Sequence, residues 1–296
     1  EAALAVSGGA CDVAMALGFD DMLRMGRSRM GEGMKAKPTI EGLMLPAAFF
    51  ALWAVRRMHE RGTTAETFAK IAAKNWNHAR HNPNAQRRSE KEVTAEDVLA
   101  SQMISYPHTS MMACAAGGGA ACAIVATKAV ADKLRNGRSR VKVIASQLHS
   151  EYYTEGHVFM GAVVGPSELT RTTAQAAYKE AGVGPKDVSL VHVHDALPIE
   201  ELMYYELLGI CGDGEGDRLV HDGETRIGGR IPFSTDGGLT ARGHPGGPTG
   251  LAQIWDITQQ LRGESGKRQV EGARIGLAHM MGAGSVCVIH LLQRES

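Results

Sequence analysis

Cysteine is scarce in this sequence, and the few cysteines are poorly placed for disulfides or for metal binding. The chain of 296 residues has 5 cysteines, at positions 11, 114, 122, 211 and 287, with no Cys-x-x-Cys spacing. A disulfide framework uses an even number of cysteines, and a structural zinc site uses closely spaced ones. The pattern therefore predicts reduced thiols, a cytoplasmic protein and no metal site.

Net charge and long apolar runs are also missing. The 32 basic and 32 acidic residues cancel, which predicts no nucleic-acid partner and no attraction to an anionic membrane. The longest apolar run, "GLMLPAAFFALWAV" at 42–55, is shorter than the roughly 20 residues that span a bilayer. It predicts a buried or interface helix, and we expect residues 42–56 near the contact between two subunits of a homodimer.

Strand-like and helix-like stretches alternate over much of the chain. "CDVAMALGF" (11–19), "RSRVKVIASQLHS" (138–150) and "DVSLVHVHDA" (187–196) predict strands, the first and third of the fully buried type, and "PIEELMYYELLG" from Pro198 predicts a helix. Between Leu23 and Met112 the pattern is instead helical and more polar. The alternation predicts an α/β layer fold with an inserted segment.

The stretch "GGLTARGHPGGPTG" (237–250) surrounds His244 with glycine and leads into a helical pattern. Glycine is used where the backbone needs positive φ or must approach another group closely. Such a loop is either a tight structural crossing or the wall of a site. Backbone N–H groups at the start of the following helix would favour a developing negative charge beside the imidazole.

Two more histidines lie near the predicted ends of strands. His194 and Asp195 follow a strand and precede Pro198, a usual position for ligand contacts in α/β folds, and His279 precedes "MMGAGS". His192 is an alternative to His194, and a structural histidine is an alternative at each position. We expect Asp195 to cap the helix that begins at Pro198.

Four stretches carry a family resemblance. "VHVHDALPIEELMYYELLGICGDGEG", "GGLTARGHPGGPTGLAQIWDITQQLRGESGKRQV" and "IGLAHMMGAGSV" are similar, in order and spacing, to the histidine-aspartate, glycine-histidine-proline and C-terminal glycine-loop motifs of sterol-carrier-protein-2 type thiolases. "FAKIAAKNWNHARHNPNAQ" resembles the loop domain of that family. The likeness runs over nearly the whole chain.

The resemblance implies a thiolase-like fold of two similar α/β halves, in five α-β-α-β-α layers, with an inserted loop domain. Residues 1–24 with 113–138 would form a truncated N-terminal half, 25–112 the loop domain and 139–296 the C-terminal half. It also implies an acyl-CoA substrate, with coenzyme A as a co-substrate and no permanently bound cofactor. Because residues 1–6 resemble the later turns of the helix that the family's nucleophilic cysteine begins, we expect that cysteine upstream of Glu1.

By the same resemblance, His244 would activate the cysteine and help to form an oxyanion hole, and His194 would fix a water or the thioester oxygen there. His279 matches a histidine that precedes the family's C-terminal glycine loop. The glycines expected to contact the CoA thioester are Gly243, Gly246, Gly282 and Gly284.

The sequence also departs from the family pattern. Ala196 replaces the family's second cysteine, and Met280 and Met281 occupy the other place where thiolases keep it. "CAAGGGAA" (114–121) replaces a segment that helps to hold CoA in relatives. The side chain that moves the proton in Claisen chemistry is therefore missing from both positions.

Three functional hypotheses follow. The first is an acyltransferase of acyl-CoA thioesters that makes or breaks a carbon–carbon bond with an unfamiliar base. The second is a retro-aldolase that cleaves a β-hydroxyacyl-CoA. It would resemble lipid-transfer-protein aldolases, which work with a small zinc-ribbon/OB-fold partner that holds the acyl-CoA. The third is a non-catalytic scaffold subunit.

Overall fold

The structure is a computed structural model that describes residues 1–21, 45–115, 117–134, 136–151, 168–282 and 286–295. Its strands are β1 Val13–Asp21, β2 Met103–Ser105, β3 His108–Thr109, β4 Gly118–Ala126, β5 Val141–Ser150, β6 Leu190–His192, β7 Ile275–Gly282 and β8 Val286–Arg294. Its helices are α1 Ala2–Ser7, α2 Leu45–Arg61, α3 Ala65–Ala79, α4 Ala95–Ala100, α5 Lys128–Leu134, α6 Leu169–Ala181, α7 Pro198–Leu207, α8 Gly216–His221, α9 Gly238–Ala241 and α10 Thr249–Arg262.

Strands β1 and β4 form an antiparallel pair. Because side chains alternate between the faces of a strand, Val13, Met15, Leu17 and Phe19 share one face of β1, where they are 44–75% exposed. The predicted strand at 11–19 is confirmed, but the expectation that it is fully buried is wrong for the described residues. Its apolar face is open because none of the described elements covers it.

The second large sheet has the strand order β5-β8-β7-β6, with β6 parallel to β7 and the other pairs antiparallel. Helix α6 packs against β5 and β8, and α10 contacts strands of both sheets. Leu190, Val191 and His192 of β6 are all buried, in agreement with the fully buried strand that the sequence predicts. The chain therefore leaves β6 from the interior of the molecule, directly into the turn at His194.

The segment inserted between β1 and β4 is mostly helical in its described part, as predicted, and also contains the short strands β2 and β3. The apolar run forms most of α2, where Phe49, Phe50 and Trp53 pack against the main core and Leu52 and Val55 remain exposed. Residues 42–44 lie outside the described residues, and the subunit contact stays a prediction. Among the described helices, none is long and apolar enough to cross a membrane.

Helix α3 connects this segment to the second sheet. The Thr64 side chain caps its first turn by accepting a hydrogen bond from the Thr67 N–H. Its buried side carries Phe68, Ile71 and Asn75, and it packs against α7, α8 and α9. Polar side chains of α3 thus reach the turn that follows β6.

We expect acid to destabilise the fold through its buried histidines. Burial lowers the pKa of His78, His244 and His279 to about 3 and that of His108 to about 4. Between pH 6.5 and 4 each of these four histidines therefore binds more protons in the unfolded chain than in the folded one, and each lowers stability by up to about 1.4 kcal/mol per pH unit. The urea midpoint of the full-length protein should be lower at pH 5 than at pH 7.

The exposed His81 provides the control, since His81→Ala should leave this pH dependence unchanged. A urea midpoint that is the same at pH 7 and pH 5 would contradict the prediction.

Candidate active site

The structure brings His194 and His244 together, although fifty residues separate them in sequence. His194 lies in the turn between β6 and α7, and His244 lies in the glycine-rich loop between α9 and α10. Their ring centroids are 5.2 Å apart and the rings meet edge to face, at 85°. Both side chains are partly exposed. Two of the three predicted histidines therefore form a partly buried pair beyond the end of β6.

His194 is paired with a buried carboxylate. Its Nδ1 lies 2.9 Å from Oε1 of Glu200, a side chain that is 2% exposed. Glu200 is the third residue of α7, and its other oxygen accepts a hydrogen bond of 3.0 Å from the Ala196 N–H. An ionised carboxylate only accepts hydrogen bonds, so His194 donates from Nδ1.

His244 has a neutral partner instead. Its Nδ1 lies 2.9 Å from Oγ1 of Thr249, and the Thr249 hydroxyl donates its hydrogen to the Pro245 carbonyl at 2.6 Å. Because a hydroxyl has one hydrogen, the His244 ring must donate from Nδ1. Burial, with smaller contributions from the charges of His194 and Arg242, lowers the pKa of His244 to about 3. The ring is therefore neutral at physiological pH.

The backbone of residues 114–115 connects the turn at His194 and the loop at His244 by hydrogen bonds. The Cys114 N–H donates to the Ala196 carbonyl, the Ala115 N–H to the Leu239 carbonyl, and the His244 N–H to the Ala115 carbonyl. These bonds run through the start of the "CAAGGGAA" segment, which the sequence suggested only as a weakened CoA contact. The segment fixes the distance between the turn at His194 and the loop at His244.

Asp195 has a different role from the predicted one. The residue that precedes α7 is Leu197, and no side chain caps it, so the expectation that Asp195 caps this helix is wrong. Asp195 is fully buried. It accepts hydrogen bonds of 2.9 Å from the Leu239 N–H and from the Asn75 side chain. The carboxylate thus joins the end of β6 to α3 and to α9, which directly precedes the glycine-rich loop.

A buried polar cluster behind Asp195 was not predicted from the sequence. Asn75 also donates to Glu201, which forms an ion pair with Lys74 at 2.7 Å and accepts from the Tyr205 hydroxyl. Burial, together with the nearby charge of Glu201, raises the pKa of Asp195. In the sequence, the only indication of this cluster is that polar residues lie on the buried face of the amphipathic helix α3.

His192, the alternative to His194, lies in a second buried cluster. Its ring contacts Thr235, Asp236 and Asp256 at 3.1–3.4 Å. Burial lowers its pKa, but the two carboxylates outweigh burial and raise the pKa to about 9. His192 is 1% exposed and supports the sheet from within, so His194 is the histidine that reaches the surface.

The structure places His279 in the interior rather than beside His194 and His244. It lies in β7 with 0% exposure, its Nε2 is 3.2 Å from the Thr170 hydroxyl, and its ring centroid is 4.2 Å from that of Tyr204. Burial, and then the charge of His194, lowers its pKa to about 3. His279 therefore supports Tyr204, whose hydroxyl donates to Glu200 at 3.1 Å.

The other predicted residues are distributed around the pair. Gly243 and Gly246 flank His244 in the loop, Gly282 ends β7, and Gly284 lies outside the described residues.

Ala196 is buried, and the Cys114 backbone N–H donates to its carbonyl. Burial, with the charges of Glu200 and Asp195, raises the pKa of the Cys114 thiol to about 12. That thiol therefore stays protonated at neutral pH.

A cavity of about 530 Å³ meets the glycine-rich loop at Gly243 and Pro245, with Gln86, Arg242 and Trp255 also in its wall. Neither His194 nor His244 lines it, so the cavity adjoins the loop without containing the imidazole pair. Within the described ranges, no group of three or more His, Cys, Asp or Glu side chains is arranged to hold a metal ion.

Comparisons with known proteins agree with one another. Residues 154–293 match the family model described as "Thiolase C-terminal domain-like". Sterol carrier protein 2 of Bos taurus is 34% identical over 97% of this chain and 54% of its own length, so the chain spans about half of that relative. The acetyl-CoA acetyltransferase of Methanothermobacter thermautotrophicus is 35% identical, over 95% of this chain and 75% of its own length.

A solved structure described as "Ltp2-ChsH2(DUF35) aldolase" is similar in fold. It superposes with a TM-score of 0.82 at 24% identity, over 98% of this chain and 75% of that chain.

We expect Gly238→Ala to destabilise the protein through the glycine-rich loop. Gly238 has φ +60°, and an added Cβ would lie 1.9 Å from an Asp195 carboxylate oxygen. Strain and displacement of this buried carboxylate should together cost about 2–4 kcal/mol. Gly263 is the control, because it has φ +76° with no atom within 4 Å of an added Cβ, and Gly263→Ala should cost about 1 kcal/mol. Equal losses in urea unfolding would contradict the role of Asp195.

Proposed function

We propose that this chain, which belongs to the thiolase family and has its α/β fold, is an enzyme. It would make or break a carbon–carbon bond next to the thioester of an acyl-CoA. The division into two α/β halves with an inserted loop domain is part of this proposal. The observation that carries it is the pair His194 and His244, each of which donates from Nδ1 to a fixed partner. Within the described part of the chain, neither Nε2 has a hydrogen-bond partner. Both remain available to a substrate.

Of the two reactions that the sequence left open, the site favours retro-aldol cleavage. Claisen chemistry in this family needs a second thiol, whereas Ala196, Met280 and Met281 occupy its two positions. The neighbouring Cys114 thiol does not replace it, since its raised pKa leaves almost no thiolate. Retro-aldol cleavage requires a base for the substrate's own hydroxyl and a site for an enolate, and it needs no thiol.

In the proposed reaction, Nε2 of His194 takes the proton of the β-hydroxyl group. The Cα–Cβ bond then breaks, its electron pair moves through Cα to the thioester oxygen, and the hydroxyl carbon leaves as an aldehyde or ketone. The same proton returns to Cα of the enolate and completes the shorter acyl-CoA. An imidazole suits both transfers because its ordinary pKa lies near neutrality.

His244 and the glycines have supporting roles in this proposal. The β-hydroxyl has one hydrogen, which goes to His194, so the neutral His244 ring would act by packing edge to face against His194 and keeping that ring in position. Backbone N–H groups near Gly243, Gly246 and Gly282 would meet the thioester oxygen, where the start of α10 favours negative charge. His279 would act from the interior through Tyr204. Coenzyme A enters as part of the substrate.

We also propose a homodimer and a separate partner that holds the acyl-CoA, of the small zinc-ribbon/OB-fold type. The name of the structurally similar aldolase, "Ltp2-ChsH2(DUF35) aldolase", joins two protein names. The open apolar face of β1 supports a contact with further protein surface.

The reaction is tested by supplying the full-length protein with a β-hydroxyacyl-CoA and no free CoA. We expect release of an aldehyde or ketone, because aldol cleavage has one substrate whereas thiolysis requires CoA as a second. Consumption of a β-ketoacyl-CoA only when CoA is added would instead establish the acyltransferase reaction and contradict this proposal. A protein inactive in both assays would support the scaffold hypothesis.

His244→Ala should lower kcat at least tenfold while the melting temperature changes little. Without this ring the base His194 loses the group that holds it in position, and loss of general-base catalysis typically costs about 10²–10⁴ in rate. The exposed His81 offers a matched histidine, and His81→Ala should retain full turnover. Undiminished turnover in His244→Ala would show that the ring is structural.

A further inference from the structure

Glu200 is held in one position by three hydrogen-bond donors. Its Oε1 accepts from His194 Nδ1 at 2.9 Å and from the Tyr204 hydroxyl at 3.1 Å, and its Oε2 accepts from the Ala196 N–H at 3.0 Å. The side chain is 2% exposed. Its position in the first turn of α7 places a negative charge where the helix dipole stabilises it.

We propose that Glu200 is a positioning residue that keeps a hydrogen on Nδ1 of His194, so that Nε2 is the nitrogen presented to the substrate. This inference rests on the proposed function for the role of Nε2, although the tautomer itself can be measured without any reaction. The opposite tautomer would set the lone pair of Nδ1 against a carboxylate lone pair at 2.9 Å, which is repulsive. The buried carboxylate would also balance the positive ring that forms when Nε2 takes a proton.

The support for Glu200 extends into the core. The Tyr204 hydroxyl occupies a second acceptor position on Oε1, and the Tyr204 ring packs on His279 at a centroid distance of 4.2 Å. His279 is in turn held by the Thr170 hydroxyl. Glu200 therefore cannot swing away from His194 without disrupting packed and fully buried side chains, and the ring orientation is fixed before substrate binds.

The neighbouring glutamates of α7 have different partners. Glu201 pairs with Lys74 and accepts from Tyr205 and Asn75, whereas Glu206 accepts a two-point contact from Arg57. Glu200 is the one carboxylate of the described α7 that contacts His194 or His244. Glu206 thus provides a control, because it is a mostly buried carboxylate on the same helix.

Glu200→Gln tests the proposal in the full-length protein. Glutamine has the same size and retains one acceptor oxygen, but its amide N–H₂ group cannot accept from a second donor. With ¹⁵N-labelled histidine, NMR of the wild-type protein should show a hydrogen-bonded Nδ1 proton on His194, shifted downfield. That signal should be lost or move upfield in Glu200→Gln and stay unchanged in Glu206→Gln.

The kinetic readout separates positioning from stability. We expect kcat for cleavage of a β-hydroxyacyl-CoA to fall about 10- to 1,000-fold in Glu200→Gln while KM changes less than threefold, because the base is misdirected but the substrate contacts remain. Glu206→Gln should lower the urea midpoint with kcat retained. Tyr204→Phe, which keeps the carboxylate, should lower kcat by less than Glu200→Gln does.

The proposal is overturned if wild-type His194 carries its hydrogen on Nε2 alone, a result that needs no variant and stands even if Glu200→Gln does not fold. It is also overturned if Glu200→Gln folds and keeps both the Nδ1 signal and kcat. If the Nδ1 signal responds to Glu200→Gln but the wild-type protein does not cleave a β-hydroxyacyl-CoA, the positioning role stands and the proposed reaction fails.

Discussion

The arrangement of the candidate site depends on the contact between the Asp195 carboxylate and the Leu239 N–H, at 2.9 Å in the interior. Asp195 follows His194 at the end of β6, and Leu239 lies in α9, just before the loop that carries His244. A polar acceptor buried at this junction costs free energy unless its hydrogen bonds are made. The turn after β6 and helix α9 therefore pack in one arrangement, and this arrangement sets the two imidazole rings 5.2 Å apart.

The same constraint explains why so many charged side chains are buried around the site. Asn75 donates to Asp195 on the side that faces α3 and also to Glu201, which pairs with Lys74, and Asp236 and Asp256 contact His192 in β6. Removing one member of such a network leaves the others unpaired in the interior, and so the network specifies one geometry. Its function is to keep the turn and the loop rigid while the glycine-rich backbone approaches its neighbours closely.

Much of the fold could be predicted from local patterns, because the period-2 and period-3.6 repeats and the glycine signals are local properties. The strands at 11–19 and 187–196 and the apolar helix within 42–55 are found in the described residues, and the thiolase-like fold is confirmed by the family comparisons. The expectation that β1 is fully buried is wrong, since alternation of apolar residues does not reveal which neighbours cover a strand.

Sequence motifs identify His194 and His244, but the contacts made by Glu200, Asn75 and Cys114 arise from tertiary packing, which no spacing rule encodes. Asp195 was assigned a helix cap because capping is a local rule, whereas its actual partners lie 44 and 120 residues away.

The central claim is that His194 and His244 present Nε2 to one substrate at the junction fixed by Asp195. The most direct test is a crystal structure of the full-length protein with a non-cleavable β-hydroxyacyl-CoA analogue. We predict the analogue's hydroxyl within about 3.2 Å of Nε2 of His194, with His244 in contact with the same group. An analogue bound with its hydroxyl and thioester away from both rings would contradict the account.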